Sequence, residues 1–196
     1  MKKHYLLCTL VSLILLGTNL QQQLADTHTA SEAPTTFVPA QQWQEFSSRA
    51  GGFSVLMPGR PTEDTDSKDF PVVGKGDVHL FTAQTELGVF IAGYLEIPGL
   101  AKQTPAFCDS FGKGFLSTIG EGTAKGANGK VVKETDISYG ADPGKEILIE
   151  APGGKKATVR AYFINRRGYQ LIVAPSTTAT PEIVNKFLDS FKIIAR

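Results

Sequence analysis

The stretch Lys145–Ala174, "KEILIEAPGGKKATVRAYFINRRGYQLIVA", restricts this chain more than any other feature, because strand pairing can be read from it directly. A three-residue loop Pro152-Gly153-Gly154 suits a type I turn with a left-handed glycine at Gly154. That register sets Ile147 opposite Val159 and Ile149 opposite Ala157 on one face. It sets Glu146 opposite Arg160 and Glu150 opposite Lys156 on the other. A slip by one residue would bury the charges and expose the isoleucines, so the alternation itself determines the register. The next loop, Arg166-Arg167-Gly168, reads the same way and pairs Phe163 with Leu171 and Ala161 with Val173. Hairpins of this kind in mid-chain point to an antiparallel sheet.

The flanking segments extend the pattern. "WQEFSS" reads as a short strand. "GFSVLMP" places Phe53, Val55 and Met57 on one side and Ser54 and Leu56 on the other, with Pro58 ending it. A polar stretch, "TEDTDSKD", reads as a loop. Then "DVHLFTAQ" and "GVFIAGYLEI" form a pair joined through Thr85 to Gly88. The second is apolar on both faces, as a central strand covered on both sides must be. "KVVKETDISY" is a further strand. A helix starts at Thr104 as N-cap with Pro105 in its first turn, and repeats Phe107, Cys108, Phe111, Phe115, Leu116 and Ile119, with Gly120 just past its end. Gly112 and Gly114 inside it cost about 1 kcal/mol each, which close packing on a sheet would offset. A second helix starts at Thr180-Pro181 and runs through Ile183, Val184, Phe187, Leu188 and Phe191, before a closing "KIIA". The reading is an α+β fold, an antiparallel meander with two helices packed on it, in a single domain over residues 43–196.

The front of the chain is different. Lys2, Lys3 and His4 precede an apolar run from Tyr5 to Leu16. A basic start and about a dozen apolar residues suit a secretory signal, whereas a membrane span needs about 20. Residues 1–30 are read as a signal peptide or, alternatively, an uncleaved N-terminal anchor, and 31–42 as a linker. The expected location is extracytoplasmic, whether periplasm, thylakoid lumen or secreted, with no transmembrane domain beyond that anchor. Cys8 lies inside the apolar run, so after cleavage Cys108 stands alone and no internal disulfide can form. A formal charge of +1 over 196 residues supplies no field that would gather nucleic acid.

Chemistry-bearing patterns are sparse. In "GGFSVLMPGRP", Ser54 lacks the strand–turn–helix setting of a nucleophile elbow, and Leu56 stands where the second glycine belongs. His79 alternates with Leu80 and reads as a surface strand residue. Cys108 shares the stripe of Phe111 and Phe115 and reads as buried filler. The segment Gly120–Lys130 fails as a phosphate loop, because Lys130 opens a strand and Ala124 occupies the place of a required glycine. It reads as a flexible hairpin or functional loop. Glu63, Asp64, Asp66 and Asp69 offer clustered carboxylates of the kind that hold calcium, yet without the glycine and terminal glutamate of an EF-hand. Lys155, Lys156, Arg160, Arg166 and Arg167 are the one basic concentration, and Lys156, Arg160, Arg166 and Arg167 are the candidates for contact with an anionic partner. Asp109 and Ser110, near the first helix's start, are the one pair that suggests hydrolysis. No cofactor and no catalytic residue is expected.

Three motifs carry a family resemblance. "GGFSVLMPGRP" resembles the glycine-Phe-Ser-x-Leu-x-Pro opening of PsbP-like proteins and their Mog-type and DcrB-type relatives. "RAYFINRRGYQLIV" resembles their late hairpin, and "NKFLDSFKI" their closing helix and strand. The similarity spans Trp43 to Arg196. It implies an α/β/α sandwich in which an antiparallel sheet of about six strands lies between helices. It also implies a non-enzymatic, exported accessory or assembly factor of the envelope or a photosystem, acting by contact with a protein partner in the envelope or at a membrane surface. Gly59-Arg60-Pro61 stands where photosystem-associated members carry a tryptophan after the proline. The alternative function is an extracytoplasmic protein that binds a small ligand or a metal ion through the Glu63–Asp69 or Gly120–Lys130 segment.

Overall fold

A computed structural model describes residues 42–194. The expected signal or anchor and nearly all of the linker lie outside the described residues. Among the described residues, ten strands form two antiparallel sheets, with two α-helices. The large sheet has the order β3-β4-β5-β9-β8-β7-β6, built from β3 (Thr62–Phe70), β4 (Gly74–Thr85), β5 (Gly88–Glu96), β6 (Lys130–Tyr139), β7 (Asp142–Ala151), β8 (Lys155–Ile164) and β9 (Arg167–Pro175). The small sheet has the order β1-β2-β10, from β1 (Gln44–Ser48), β2 (Phe53–Met57) and β10 (Lys192–Ile193). The helices are α1 (Pro105–Gly126) and α2 (Pro181–Leu188).

The α/β/α sandwich of about six strands is corrected in two respects. The large sheet has seven strands, and only one of its faces is covered by helix alone. The other face is covered mainly by the small sheet, with α2 beside it. Length explains the difference. Eight residues of helix span about 12 Å, while seven strands are about 29 Å across, so α2 cannot roof that face alone.

The helical face follows from the apolar stripe of α1. Cys108, Phe111, Phe115, Leu116 and Ile119 lie buried against Ile147, Ile149, Val159, Ala161 and Ile172 of the sheet. Thr104 caps the helix, its Oγ1 accepting from the Phe107 N–H at 3.3 Å. A Cβ at Gly112 would overlap the Phe163 ring, so the glycine lets the helix lie close to the strands. Gly120 is the same device rather than a stop, since a Cβ there would press on the buried Ile147 side chain at 3.2 Å. The helix therefore runs on to Gly126, and most of the segment expected as a loop over Gly120–Lys130 is helical. Its end comes at Asn128, whose φ of 49° turns the chain out.

The first hairpin has the register expected, with Ile147 opposite Val159, Ile149 opposite Ala157, Glu146 opposite Arg160 and Glu150 opposite Lys156. The second does not. Asn165 and Arg166 form a two-residue turn with φ of 50° and 64°, so Ile164 pairs with Arg167, Arg160 with Leu171 and Thr158 with Val173. Left-handed φ at both positions is the geometry whose twist matches a hairpin. The shift is three residues, an odd number, so Phe163 and Leu171 lie on opposite faces of the sheet. "TEDTDSKDF" is likewise a strand, β3, rather than a loop. The second helix ends at Leu188, short of Phe191.

Candidate functional site

At the open edge of the large sheet a polar ledge leads inward to buried tyrosines beneath the β1–β2 turn. Register sets Thr65, His79, Tyr94, Tyr169 and Tyr162 in one row across five neighbouring strands. The ring of His79 stacks on Tyr94 at 4.5 Å and 8°. Its Nδ1 lies 3.1 Å from Thr65 Oγ1 and 3.2 Å from Glu63 Oε1. From the strand on the other side of β5, the Arg167 guanidinium approaches the Tyr94 ring at 5.4 Å.

Arg167 is the centre of this arrangement. It is buried, pairs with the Glu96 carboxylate, and donates to the carbonyl oxygens of Ala50 at 2.7 Å and Gly51 at 3.1 Å. Tyr169 donates its hydroxyl to the same Gly51 oxygen at 2.9 Å. The local sequence makes this possible. A Cβ on Gly51 would meet the Phe53 and Tyr94 rings at 2.8 Å, so only glycine lets the β1–β2 turn lie on the aromatic floor with its carbonyls toward Arg167. Ser48 Oγ accepts from the Gly51 N–H at 3.0 Å and closes the turn. Burial pushes the Tyr94 phenol above its ordinary value, and the nearby Glu96 charge adds to the rise. Burial also raises Tyr169, against the opposing charge of Arg167.

A second fastening lies across the sheet. Arg160 donates to Glu146 at 2.7 Å and to Asp189, just past α2, at 2.5 Å. Burial works against its charge, but these two carboxylates outweigh that and raise its pKa. Ser190 Oγ accepts from the Leu56 N–H at 2.8 Å, and Tyr139 Oη from the Ile193 N–H at 3.1 Å.

Three residues singled out in the sequence for separate reasons, Glu63, His79 and Arg167, thus meet around Tyr94. The other candidates are dispersed. The expected carboxylate loop is a strand, so alternation sends Glu63 and Asp69 to the ledge side and Asp64 and Asp66 to the helix side. Asp66 pairs with Lys68 at 3.0 Å. Among the described residues no group of three His, Cys, Asp or Glu side chains is placed to hold a metal ion. The basic candidates form no common patch. Arg160 and Arg167 are turned inward, Arg166 sits in its turn with Nη1 3.5 Å from the Ala101 oxygen, and Lys156 is exposed opposite Glu150. Arg167 is corrected from a hairpin tip to a buried strand residue, as the two-residue turn requires. Ser54 is buried within β2. Cys108 lies under α1, its Sγ 3.5 Å from the Leu100 oxygen, on the opposite side of the sheet from His79. Ser110 Oγ donates to the Ala106 oxygen at 2.9 Å. Sequence reading missed Tyr94 and Glu96. The available signal was a glutamate closing an otherwise apolar strand, which calls for a cation somewhere along the chain.

No helix among the described residues is long and apolar enough to cross a membrane. No family model and no curated protein sequence matches the chain. Among solved structures it is similar to cyanobacterial PsbP (CyanoP) from Synechocystis sp. PCC 6803, with 11% identity and a TM-score of 0.48, covering 82% of this chain and 98% of that one. It is also similar to PA94 from Pseudomonas aeruginosa, a protein of unknown function, with 8% identity and a TM-score of 0.23, covering 72% and 85% of the two chains.

Proposed function

We propose that this chain is a non-enzymatic, extracytoplasmic accessory module that works by contact with a protein partner, in the envelope or at a membrane surface such as that of a photosystem. One observation carries the reading. The polar side chains at the centre of the fold, Arg160, Arg167 and Tyr169, face inward and fasten the cover to the large sheet. The outermost strand β3 meanwhile presents nearly its whole length to solvent. Fastened polar groups are poor acids, bases or nucleophiles, because a proton or bond exchanged there would undo the packing they hold.

The test is affinity capture with the full chain from a membrane extract of its own source, washed at physiological salt. Recovery of one partner in stoichiometric amount is the expected result, and repeated failure across growth conditions overturns the reading. A thermal-shift series with calcium, manganese and phosphate runs beside it. A ligand bound to the native state raises the melting temperature, so a rise of several degrees would favour the small-ligand or metal-binding alternative. No such rise is expected.

A further inference from the structure

We propose that the outer edge of β3 is the docking strand, and that it takes up a basic extended segment of the partner protein as an eighth strand of the large sheet. This rests on the protein-contact reading above and names the surface that performs it.

An edge strand presents a row of backbone N–H and C=O groups that another chain can pair with, and natural sheets blunt such edges with bulges and charge. The two edges here differ in how far they are blunted. At β6 the register slips between Val131 and Lys133, a bulge that breaks the row. Its charges also cancel, Lys130 and Lys133 against Glu134 and Asp136, and Lys145 on β7 holds both acids at 3.0 and 3.5 Å. At β3 the pairing with β4 runs unbroken from Thr62 to Phe70, so the edge is regular over nine residues. Among the described residues no strand pairs with its outer side.

Charge then selects the occupant. Glu63, Asp64, Asp66 and Asp69 against Lys68 leave this strand at four negative and one positive, a net of −3. Antiparallel pairing of two copies about Asp66 would set Asp66 against Asp66 and Glu63 against Asp69, which the two Asp64–Lys68 pairs only partly offset, since like charges directly opposite are destabilising. The net charge of −3 thus disfavours a second copy and favours lysine or arginine, which is discrimination by repulsion as well as attraction. Just past the strand, Val72 is 71% exposed at a φ of 77°. A β-branched residue rarely adopts that conformation. Buried Phe70 and Val73 on either side hold it outward, so it offers an apolar contact at one end of the acidic row. The fitting partner segment is extended, carries basic residues on both sides, and ends in an apolar residue.

The probe is the synthetic nine-residue peptide Lys-Lys-Thr-Thr-Lys-Lys-Thr-Thr-Val, which places lysines on both faces of the strand and an apolar residue at its end. Its control replaces each threonine by proline, with the same charge but with prolines at both alternations, so that neither side of the peptide offers an unbroken row of amides. Calorimetric titration is expected to show the lysine–threonine peptide binding the full chain. Binding should weaken at least tenfold in the triple variant Asp64→Asn/Asp66→Asn/Asp69→Asn, whose exposed sites leave the melting temperature unchanged. Hydrogen exchange should slow at alternate amides within Thr62–Phe70 when the peptide binds. Equal binding of the proline control, protection confined to another region, no binding, or β3 amides already protected outwardly in the free chain would each overturn the proposal. The captured partner separates the two readings. If the triple variant still recovers it, the edge is excluded while protein contact stands; if neither chain recovers one, both fall.

Discussion

The two faces of the large sheet are covered in different ways. On one, a single continuous helix of 22 residues lies across the strands, fitted through Gly112 and Gly120. On the other, the cover is assembled from segments far apart in sequence, β1–β2 near the start of the domain and α2–β10 near its end. The polar groups differ accordingly. Beneath the helix the Gln170 amide is buried with no hydrogen-bond partner among the described residues. Beneath the assembled cover, Arg167 and Tyr169 are bonded into its turn, and Arg160 ties Asp189 to the sheet. A continuous helix is positioned by its own backbone and needs only apolar fit. A cover made from distant pieces has no such guide, and directional bonds fix where it sits.

That contrast can be broken most directly at Phe53, which is fully buried among the rings of Phe46, Phe81, Tyr94, Tyr169 and Phe191. Phe53→Ala is expected to lose about 4 kcal/mol in urea unfolding, with amide exchange rising in β1, β2 and β10 ahead of α1. Simultaneous opening of α1 would show that the covers are not separate units. Arg167→Met should lose about 3 kcal/mol, because it removes the buried cation that the Glu96 carboxylate and the Ala50 and Gly51 carbonyls share. Gly112→Leu tests the opposite face, where overlap with Phe163 should cost about 2 kcal/mol; a neutral result would mean the helix is not held close. Gln170→Met is expected to gain about 1 kcal/mol, since it removes an unpaired buried amide and keeps the shape.

The smallest effect is a pH dependence confined to the assembled cover. Burial, foremost among the causes, raises the phenols of Tyr94, Tyr162 and Tyr169 above their ordinary value of 10.0. A group raised in the folded state contributes stability that is whole below its unfolded value. That stability is lost as pH climbs through the folded one. Stability should therefore hold up to about pH 10 and fall beyond it. Absorbance at 295 nm should show these phenols ionising later than free tyrosine, and ionisation at the ordinary value would contradict their burial.

The fold was legible where one face of a strand differs from the other. The β7–β8 register could be read because isoleucines and valine oppose each other on one side and charges on the other. The β8–β9 register could not, since near their turn both strands bury both faces and the alternation there carries no polarity signal. β3 has the reverse difficulty. Exposed on both faces, it has no burial to write into its sequence, and alternation is silent. Gly120 resembled a helix end because close approach and termination call for the same residue. At the ledge, His79, Glu63 and Arg167 were visible one at a time. Their meeting was not, because the strand order that joins them depends on the misread hairpin and on β3.

The position of β2 has a consequence for how this chain comes into being. Its neighbours are β1, from the opening of the domain, and β10, from the last residues described, with the Ile194 N–H bonded to the Gly52 oxygen at 3.0 Å. A nascent chain must therefore hold Phe53 and its neighbours unsealed while some 140 further residues are added, roughly ten seconds or more at ordinary synthesis rates. Until then the small sheet lacks its third strand, and Phe53 lacks the ring of Phe191.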